Sequence, residues 1–288
     1  MLASPVAVPA GPRYLELVSR LMQQLRLTAP DPGPWEAADL QWWWRQGRPT
    51  DADGQLFWLE AGGAPVAAAV RTQFGARVQC DVLVPPGEAG LAATAWSAGV
   101  DWAARLAPET TDFPVGPAQV GAAVGPLTAA GYSSGPEQIV ACWLDADRLP
   151  SRPTLPAGCN LVSRAMLPDR PHPMAARNGA AIAARLSECS LYGPDLDLAI
   201  LGPDGGTAAY GLFWPDLVTG VGLVEPLRTE EPYRGLGLAS YLLAEGCERL
   251  AAAGCRRIKV SNDLGLYLRA GFVPELAPTA TVWQRPSG

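Results

Sequence analysis

The chain reads as an α/β protein made of two tandem copies of one domain, and three observations carry that expectation. Residues 148–158 concentrate proline and glycine near the midpoint of the 288 residues, as a linker does. The two halves align across it: Gly87, Gly90, Leu91 and Ala92 match Arg234, Gly237, Leu238 and Ala239, with Gly90 and Gly237 an offset of 147 apart. In the second half, a strand-like stretch runs through the glycine turn into an amphipathic helix, a strand-then-helix order typical of α/β architecture.

Taken in order, a Gly62-Gly63 turn before Val66, Ala67 and Ala68 predicts a hairpin, echoed by Gly205-Gly206 before Thr207, Ala208 and Ala209. Ala95, Trp96, Gly99, Val100 and Ala103 form an apolar helical stripe, and Gly99 falls on Gly246 at the same offset. Farther on, Leu127, Gly131 and Tyr132 match Tyr267, Gly271 and Phe272. In the second half, residues 219–227 read as a strand with Val221, Leu223, Glu225 and Leu227 on one face. A helix follows with Ala239, Leu242, Leu243, Gly246, Cys247 and Leu250 on one stripe and Glu245, Glu248 and Arg249 on the surface. The domains are therefore placed at 1–147 and 159–288, with the linker between them.

The turn before that helix is the chain's most informative stretch. The first turn of a helix leaves backbone N–H groups unpaired, and Gly235 and Gly237 lack the Cβ atoms that would keep a phosphate away. Arg234 adds a fixed charge and a forked donor. The stretch has neither the Gly-Lys-Ser/Thr ending of a P-loop nor the third glycine of a dinucleotide fingerprint, which excludes the two common nucleotide motifs.

Arg234, Gly237 and Ala239 resemble the Arg/Gln-x-x-Gly-x-Gly/Ala signature of the GNAT (GCN5-related N-acetyltransferase) superfamily. Tyr267, four positions before Gly271-Phe272, resembles that family's second signature. The resemblance implies a mixed, mostly antiparallel sheet flanked by helices in each domain, with acetyl-CoA as cosubstrate. It implies that the amides of Arg234, Gly235, Leu236, Gly237, Leu238 and Ala239 hold the pyrophosphate. The backbone of Leu227, Arg228 and Thr229 would pair with the pantetheine arm, Asn262 would touch the cofactor, and Tyr267 would protonate the departing thiolate. Two positions depart from the family pattern: Glu231 stands where a proline is usual, and the segment between Asn262 and Tyr267 is about two residues short. The first half has Gly87 in place of Arg234 and Leu127 in place of Tyr267, so it is expected to be catalytically silent. In layout the chain is also distantly similar to the two-domain mycothiol synthases, which implies a small amino-sugar or thiol-bearing acceptor as one option.

Acetyl transfer to an amine needs a base as well as an acid. Glu225 lies on a mostly apolar strand face just before Pro226, where the strand must bulge or form an edge because proline brings no N–H to the ladder. A carboxylate there suits a general base; an ion pair with an arginine such as Arg228 is the plainer reading. The expected reaction is direct transfer of acetyl from acetyl-CoA to a primary amine of a small molecule. The alternatives are a coenzyme-A-binding or sensing protein without transfer, and an acetyltransferase acting on protein N-termini or lysines.

Composition narrows the partners. With 48% hydrophobic and 17% charged residues the chain is that of a globular protein. The net charge of −6 argues against nucleic acid, which asks for clustered Lys and Arg, and favours a cationic acceptor. No run of about 18 apolar residues and no signal-like N-terminus stand out, so a cytoplasmic protein off the membrane is expected. The basic residues are nearly all arginine, with Lys259 the lone lysine, which reads as the GC-rich codon usage of a bacterium, and a monomer or homodimer is expected. Cys80, Cys142, Cys159, Cys189, Cys247 and Cys255 show no Cys-x-x-Cys spacing, so neither metal nor disulfide is expected. His172, between two prolines, reads as a loop residue without an Asp or Ser partner, which argues against a Ser-His-Asp hydrolase. Asp195, Asp197 and Asp216 are candidates for an acidic mouth. Of Trp42, Trp43 and Trp44, at least one is expected to be partly exposed, because three consecutive residues cannot share one helical face.

Overall fold

The structure is a computed structural model that describes residues 4–29, 33–107, 109–261 and 265–286. In chain order come β1 (Val6–Val8), α1 (Pro12–Thr28), α2 (Ala37–Trp43), β2 (Gln55–Leu59), β3 (Pro65–Phe74), β4 (Arg77–Leu83), α3 (Ala89–Leu106), β5 (Thr111–Val115), α4 (Val120–Ala129) and β6 (Ser133–Ile139). They are followed by β7 (Cys142–Asp145), β8 (Asn160–Ser163), α5 (Ala175–Asn178), α6 (Ile182–Ser187), β9 (Asp197–Leu201), β10 (Thr207–Asp216), β11 (Val221–Thr229), α7 (Leu238–Ala253), β12 (Arg257–Val260), α8 (Gly265–Arg269), β13 (Val273–Pro274) and β14 (Ala280–Gln284). They build two mixed seven-stranded sheets flanked by helices, as the repeat and the resemblance lead one to expect.

In the first unit the strand order is β1-β2-β3-β4-β5-β14-β6, with β4 and β5 parallel and the other pairs antiparallel. In the second it is β13-β7-β12-β11-β10-β9-β8, with β11 and β12 parallel. Each unit therefore takes one strand from the other half of the sequence. The first comprises residues 1–43, 47–140 and 276–288, and the second residues 44–46 and 141–275. This revises contiguous domains at 1–147 and 159–288: β7 belongs to the second sheet and β14 to the first. An apolar run reveals a strand without revealing which sheet completes its hydrogen bonds.

The repeat is visible in detail. Both glycine hairpins form, β2–β3 closing at Gly63 and β9–β10 at Gly205, each with positive φ. Helices α4 and α8 end alike: Gly131 and Gly271 are left-handed, and the amides of Tyr132 and Phe272 reach back to the carbonyls of Leu127 and Tyr267 at 2.9 and 3.0 Å. The matched helix glycines do the same work. A Cβ on Gly99 would lie 3.0 Å from Val82 and 3.2 Å from Ala69, and one on Gly246 only 2.0–2.2 Å from three ring atoms of Phe213, so each lets its helix press onto its sheet.

Two expectations about burial change. Glu245 is buried on α7, between Arg152 and Arg249, because two guanidiniums neutralise it there. All three tryptophans are buried: α2 ends at Trp43, which packs edge-on against Trp35 and Phe74 in the first unit. Trp44, beyond the helix, belongs to the second unit. Its indole N–H donates to Glu188 at 2.7 Å and Arg185 stacks on its ring. No disulfide joins the cysteines among the described residues, and all but Cys159 are buried. No helix among the described residues is long and apolar enough to cross a membrane.

Candidate active site

The site is laid out by the one parallel pair of the second sheet. β11 and β12 are in register only over Val221–Leu223 and Arg257–Lys259, and beyond Leu223 the edge of β11 that faces away from β10 carries no strand among the described residues. A wedge opens there, along Glu225, Leu227, Arg228 and Thr229. The expected bulge is present: Val224 pairs with Phe213 and Leu227 with Gly211, so Glu225 and Pro226 together oppose Leu212. The Glu225 carbonyl, out of the ladder, accepts the Trp214 indole N–H at 2.7 Å, which fixes the bulge. The extra residue also corrects the expected face. Leu227 leaves the side of Val221 and Leu223 and joins that of Phe213, because a one-residue insertion reverses the alternation.

Beyond β11 the chain makes a short 3₁₀ turn at Glu231–Tyr233 and then the glycine loop. Gly235 and Gly237 have φ of 80° and 77°, and a Cβ on either would meet open space. Gly237 is the N-cap of α7 and offers no side-chain acceptor; the first amide of the helix with a backbone acceptor is that of Tyr241. The amides of residues 235–240 therefore present an uncapped helix terminus with its partial positive charge. Arg234 is exposed beside it. These residues fit a phosphate-bearing ligand: donors are in place, the two positions nearest to it are bare, and no acidic side chain lies in the first turn.

Glu225 lies within electrostatic reach of Tyr267. Tyr267, on α8, is buried against Phe272, and its hydroxyl is pushed up to about 12, first by burial and then by the Glu225 and Cys247 charges. Glu225 also acts on Arg45, whose guanidinium is lowered by burial and raised by that carboxylate. Arg45 donates from Nε to Asn178 Oδ1 at 2.8 Å. Sequence reasoning missed Arg45, Asn178 and Trp214; the one signal was the tryptophan run that Arg45 ends. Arg228 lies 3.7 Å from Glu230, which Arg177 holds with two bonds of 2.8 Å. Asn262 lies outside the described residues.

The other candidates resolve differently. His172 is buried and does have an Asp partner: its Nε2 lies 2.8 Å from Asp197 Oδ2, which also accepts the Tyr192 hydroxyl at 2.8 Å. Its Nδ1 accepts the Met174 amide, so both ring nitrogens are engaged and neither serves as a base. The acidic mouth does not form. Asp197 is buried on His172 and Tyr192, Asp216 is buried and caps the turn at Val218 and Thr219, and only Asp195 is exposed.

Comparison with known proteins agrees with this geometry. Residues 175–272 match the Acetyltransferase (GNAT) family. No curated protein matches the chain. Among solved structures, a tandem GNAT protein from the clavulanic acid biosynthesis pathway superposes with a TM-score of 0.61 at 20% identity, over 97% of each chain. A GCN5-related N-acetyltransferase from Sphaerobacter thermophilus gives 0.57 at 19%, over 100% of this chain and 98% of the other. A putative acetyltransferase from Pyrococcus horikoshii gives 0.52 at 12%, over 100% and 91%. Residues 175–272, which hold the splayed strands, the uncapped glycine loop and the buried tyrosine, thus match the GNAT acetyltransferase family, and the whole chain carries the tandem form of that fold.

Proposed function

We propose that the second unit transfers acetyl from acetyl-CoA to the primary amine of a small acceptor by direct attack. The observation that carries this reading is that Glu225, on the open stretch of β11 that leads to the uncapped α7 terminus, lies within electrostatic reach of Tyr267. The amides of residues 235–240 and Arg234 would hold the pyrophosphate, and the open edge of β11 from Leu227 to Thr229 the pantetheine arm. The bound thioester supplies an activated acetyl group. Glu225 removes a proton from the amine nitrogen, directly or through one water. Arg45 favours its carboxylate form. Tyr267 gives its hydroxyl proton to the sulfur, and its raised affinity for that proton keeps it an acid at every physiological pH.

A thermal-shift measurement with acetyl-CoA tests the site. A ligand at a hundred times its dissociation constant adds about 2.7 kcal/mol to the folded state. The wild type is expected to gain it and Arg234→Glu to lose it. No shift in the wild type refutes the cofactor assignment. A shift without acetyl transfer to any of a panel of small amines, unchanged in Tyr267→Phe, refutes the catalytic one.

A further inference from the structure

The glycine loop of the second unit has little of its own to keep its shape. Gly235 and Gly237 are left-handed and carry no side chain, and Arg234 and Leu236 are exposed. Chain of this composition is conformationally free, so its amides converge on a ligand only if both ends of the loop are fixed. At the far end α7 does this, with Leu238 1% exposed. At the near end the residue before Arg234 is Tyr233, whose hydroxyl is tied to a hairpin turn 29 residues earlier in the chain.

Tyr233 lies across the turn between β9 and β10. Its hydroxyl donates to Asp204 Oδ1 at 3.0 Å, and the same oxygen accepts the Gly206 amide at 2.9 Å, which holds the carboxylate in place. The turn itself is closed by the Gly202 amide on the Gly206 carbonyl at 2.8 Å and the Gly205 amide on the Gly202 carbonyl at 2.9 Å. The phenol rests on Gly202: a Cβ there would lie 2.4, 2.7 and 2.9 Å from Oη, Cζ and Cε1 of Tyr233. Gly202 is not left-handed, so the ring on top of it is what asks for a glycine, not the backbone. The first unit lacks every part of this device. With the hairpins matched on their glycine pairs, Leu59 and Ala61 stand where Gly202 and Asp204 do; with the loops matched, Pro86 stands where Tyr233 does. Seat, acceptor and aromatic ring are present together in the half that has Arg234 and missing together from the half that does not.

We propose that Tyr233, seated on Gly202 and bonded to Asp204, is a positioning residue for the phosphate-binding loop. It fixes the chain where the glycines begin, so the amides of residues 235–240 are arranged before the pyrophosphate arrives. Ordering that would otherwise be taken from the binding free energy is already complete in the free protein. The inference rests on the assignment of that loop to acetyl-CoA and adds a claim of its own: affinity for the phosphates is set from outside the loop, by the β9–β10 turn.

Two ligands test it, titrated into the full chain: acetyl-CoA, and S-acetylpantetheine, which has the same thioester and arm without the pyrophosphate. Tyr233→Ala removes the anchor. Gly202→Ala displaces it, because the phenol is the free end of its side chain and turns away from a new methyl. Each is expected to weaken acetyl-CoA by about threefold to tenfold and to leave S-acetylpantetheine within a factor of about two. The two changes are expected to be non-additive, Gly202→Ala adding nothing once residue 233 is alanine. Tyr233→Phe loses only the bond to Asp204 and is expected to show a smaller loss for acetyl-CoA alone, so the comparison of ligands stands even where an alanine variant fails to fold. Equal weakening of both ligands, additive losses, or unchanged acetyl-CoA affinity in every variant that folds each overturns the proposal. A wild type that binds acetyl-CoA no better than S-acetylpantetheine overturns the assignment of the loop itself, and the proposal with it.

Discussion

Replacing Gly246 by alanine is expected to destabilise the second unit by about 2 kcal/mol. The new methyl would lie 2.0, 2.1 and 2.2 Å from Cε1, Cζ and Cδ1 of Phe213, where carbon atoms pack at about 3.5–4.0 Å. Relief requires the helix or the ring to move by about 1.5 Å, and Phe213 is 2% exposed with nowhere to turn. Overpacking of this kind costs about 1–3 kcal/mol. Three sub-contact atoms place it at the top of that range, and alanine's better helix propensity returns about 1 kcal/mol. Urea unfolding followed by far-ultraviolet circular dichroism measures the midpoint and slope of the second unit's transition. The paired glycine supplies the control. A Cβ on Gly99 needs only a few tenths of an ångström from Val82 and Ala69, so Gly99→Ala is expected to cost far less in the first unit. Shrinking the ring in Phe213→Leu should make the two changes non-additive, with a coupling of about 1 kcal/mol or more. An unchanged or raised midpoint in Gly246→Ala, or an equal loss in Gly99→Ala, would show that the close approach of helix and sheet is not what these glycines provide.

Tyr267→Phe is expected to slow transfer by about 10²–10⁴ while leaving the dissociation constant for acetyl-CoA within a factor of about two, as loss of a general acid does. The wild-type tyrosine has a folded pKa near 12 against 10.0 unfolded, so it stays protonated and the rate should show no tyrosine-dependent alkaline fall below about pH 10. Trp44→Ala removes a buried indole and is expected to lower the stability of the second unit by about 3–5 kcal/mol, read by the same unfolding assay. Burial on β4 raises the folded pKa of Asp81 from 3.8 to about 7, so its contribution is full below about 4 and lost as pH rises to about 7. Unfolding midpoints of the first unit should fall across that window, and Asp81→Asn should flatten the fall.

Much of this was legible in residues whose role is local. The Gly63 and Gly205 hairpins, the Gly235-Gly237 loop and the bulge at Pro226 follow from backbone sterics within a few positions, and each was found where the chain placed it. Gly99 and Gly246 were legible through the repeat alone, because a helical glycine announces nothing until its twin is found at the same offset. What escaped depends on distant partners. The Asp197 that completes His172 is 25 residues away, and the strand that completes each sheet lies in the other half of the chain. Arg45 reaches the field of Glu225 from a segment 180 residues earlier, beyond the range of any periodicity.

The exchange of strands has a consequence for synthesis on the ribosome. β6 pairs with β14, and β14 separates it from β5, so β6 has no place in its sheet until residues 280–284 have emerged. At roughly 5–20 residues per second that wait is roughly 7–28 s. β6 suits it: Ser133–Ile139 contains a glycine, a proline and a glutamate and no large apolar residue before Ile139, a segment that remains in water without recruiting another edge. β7, needed by the second sheet, is made before the strands it joins and is ready when they appear. The two units thus finish folding in the opposite order to a string of independent beads, the first to begin being the last to close.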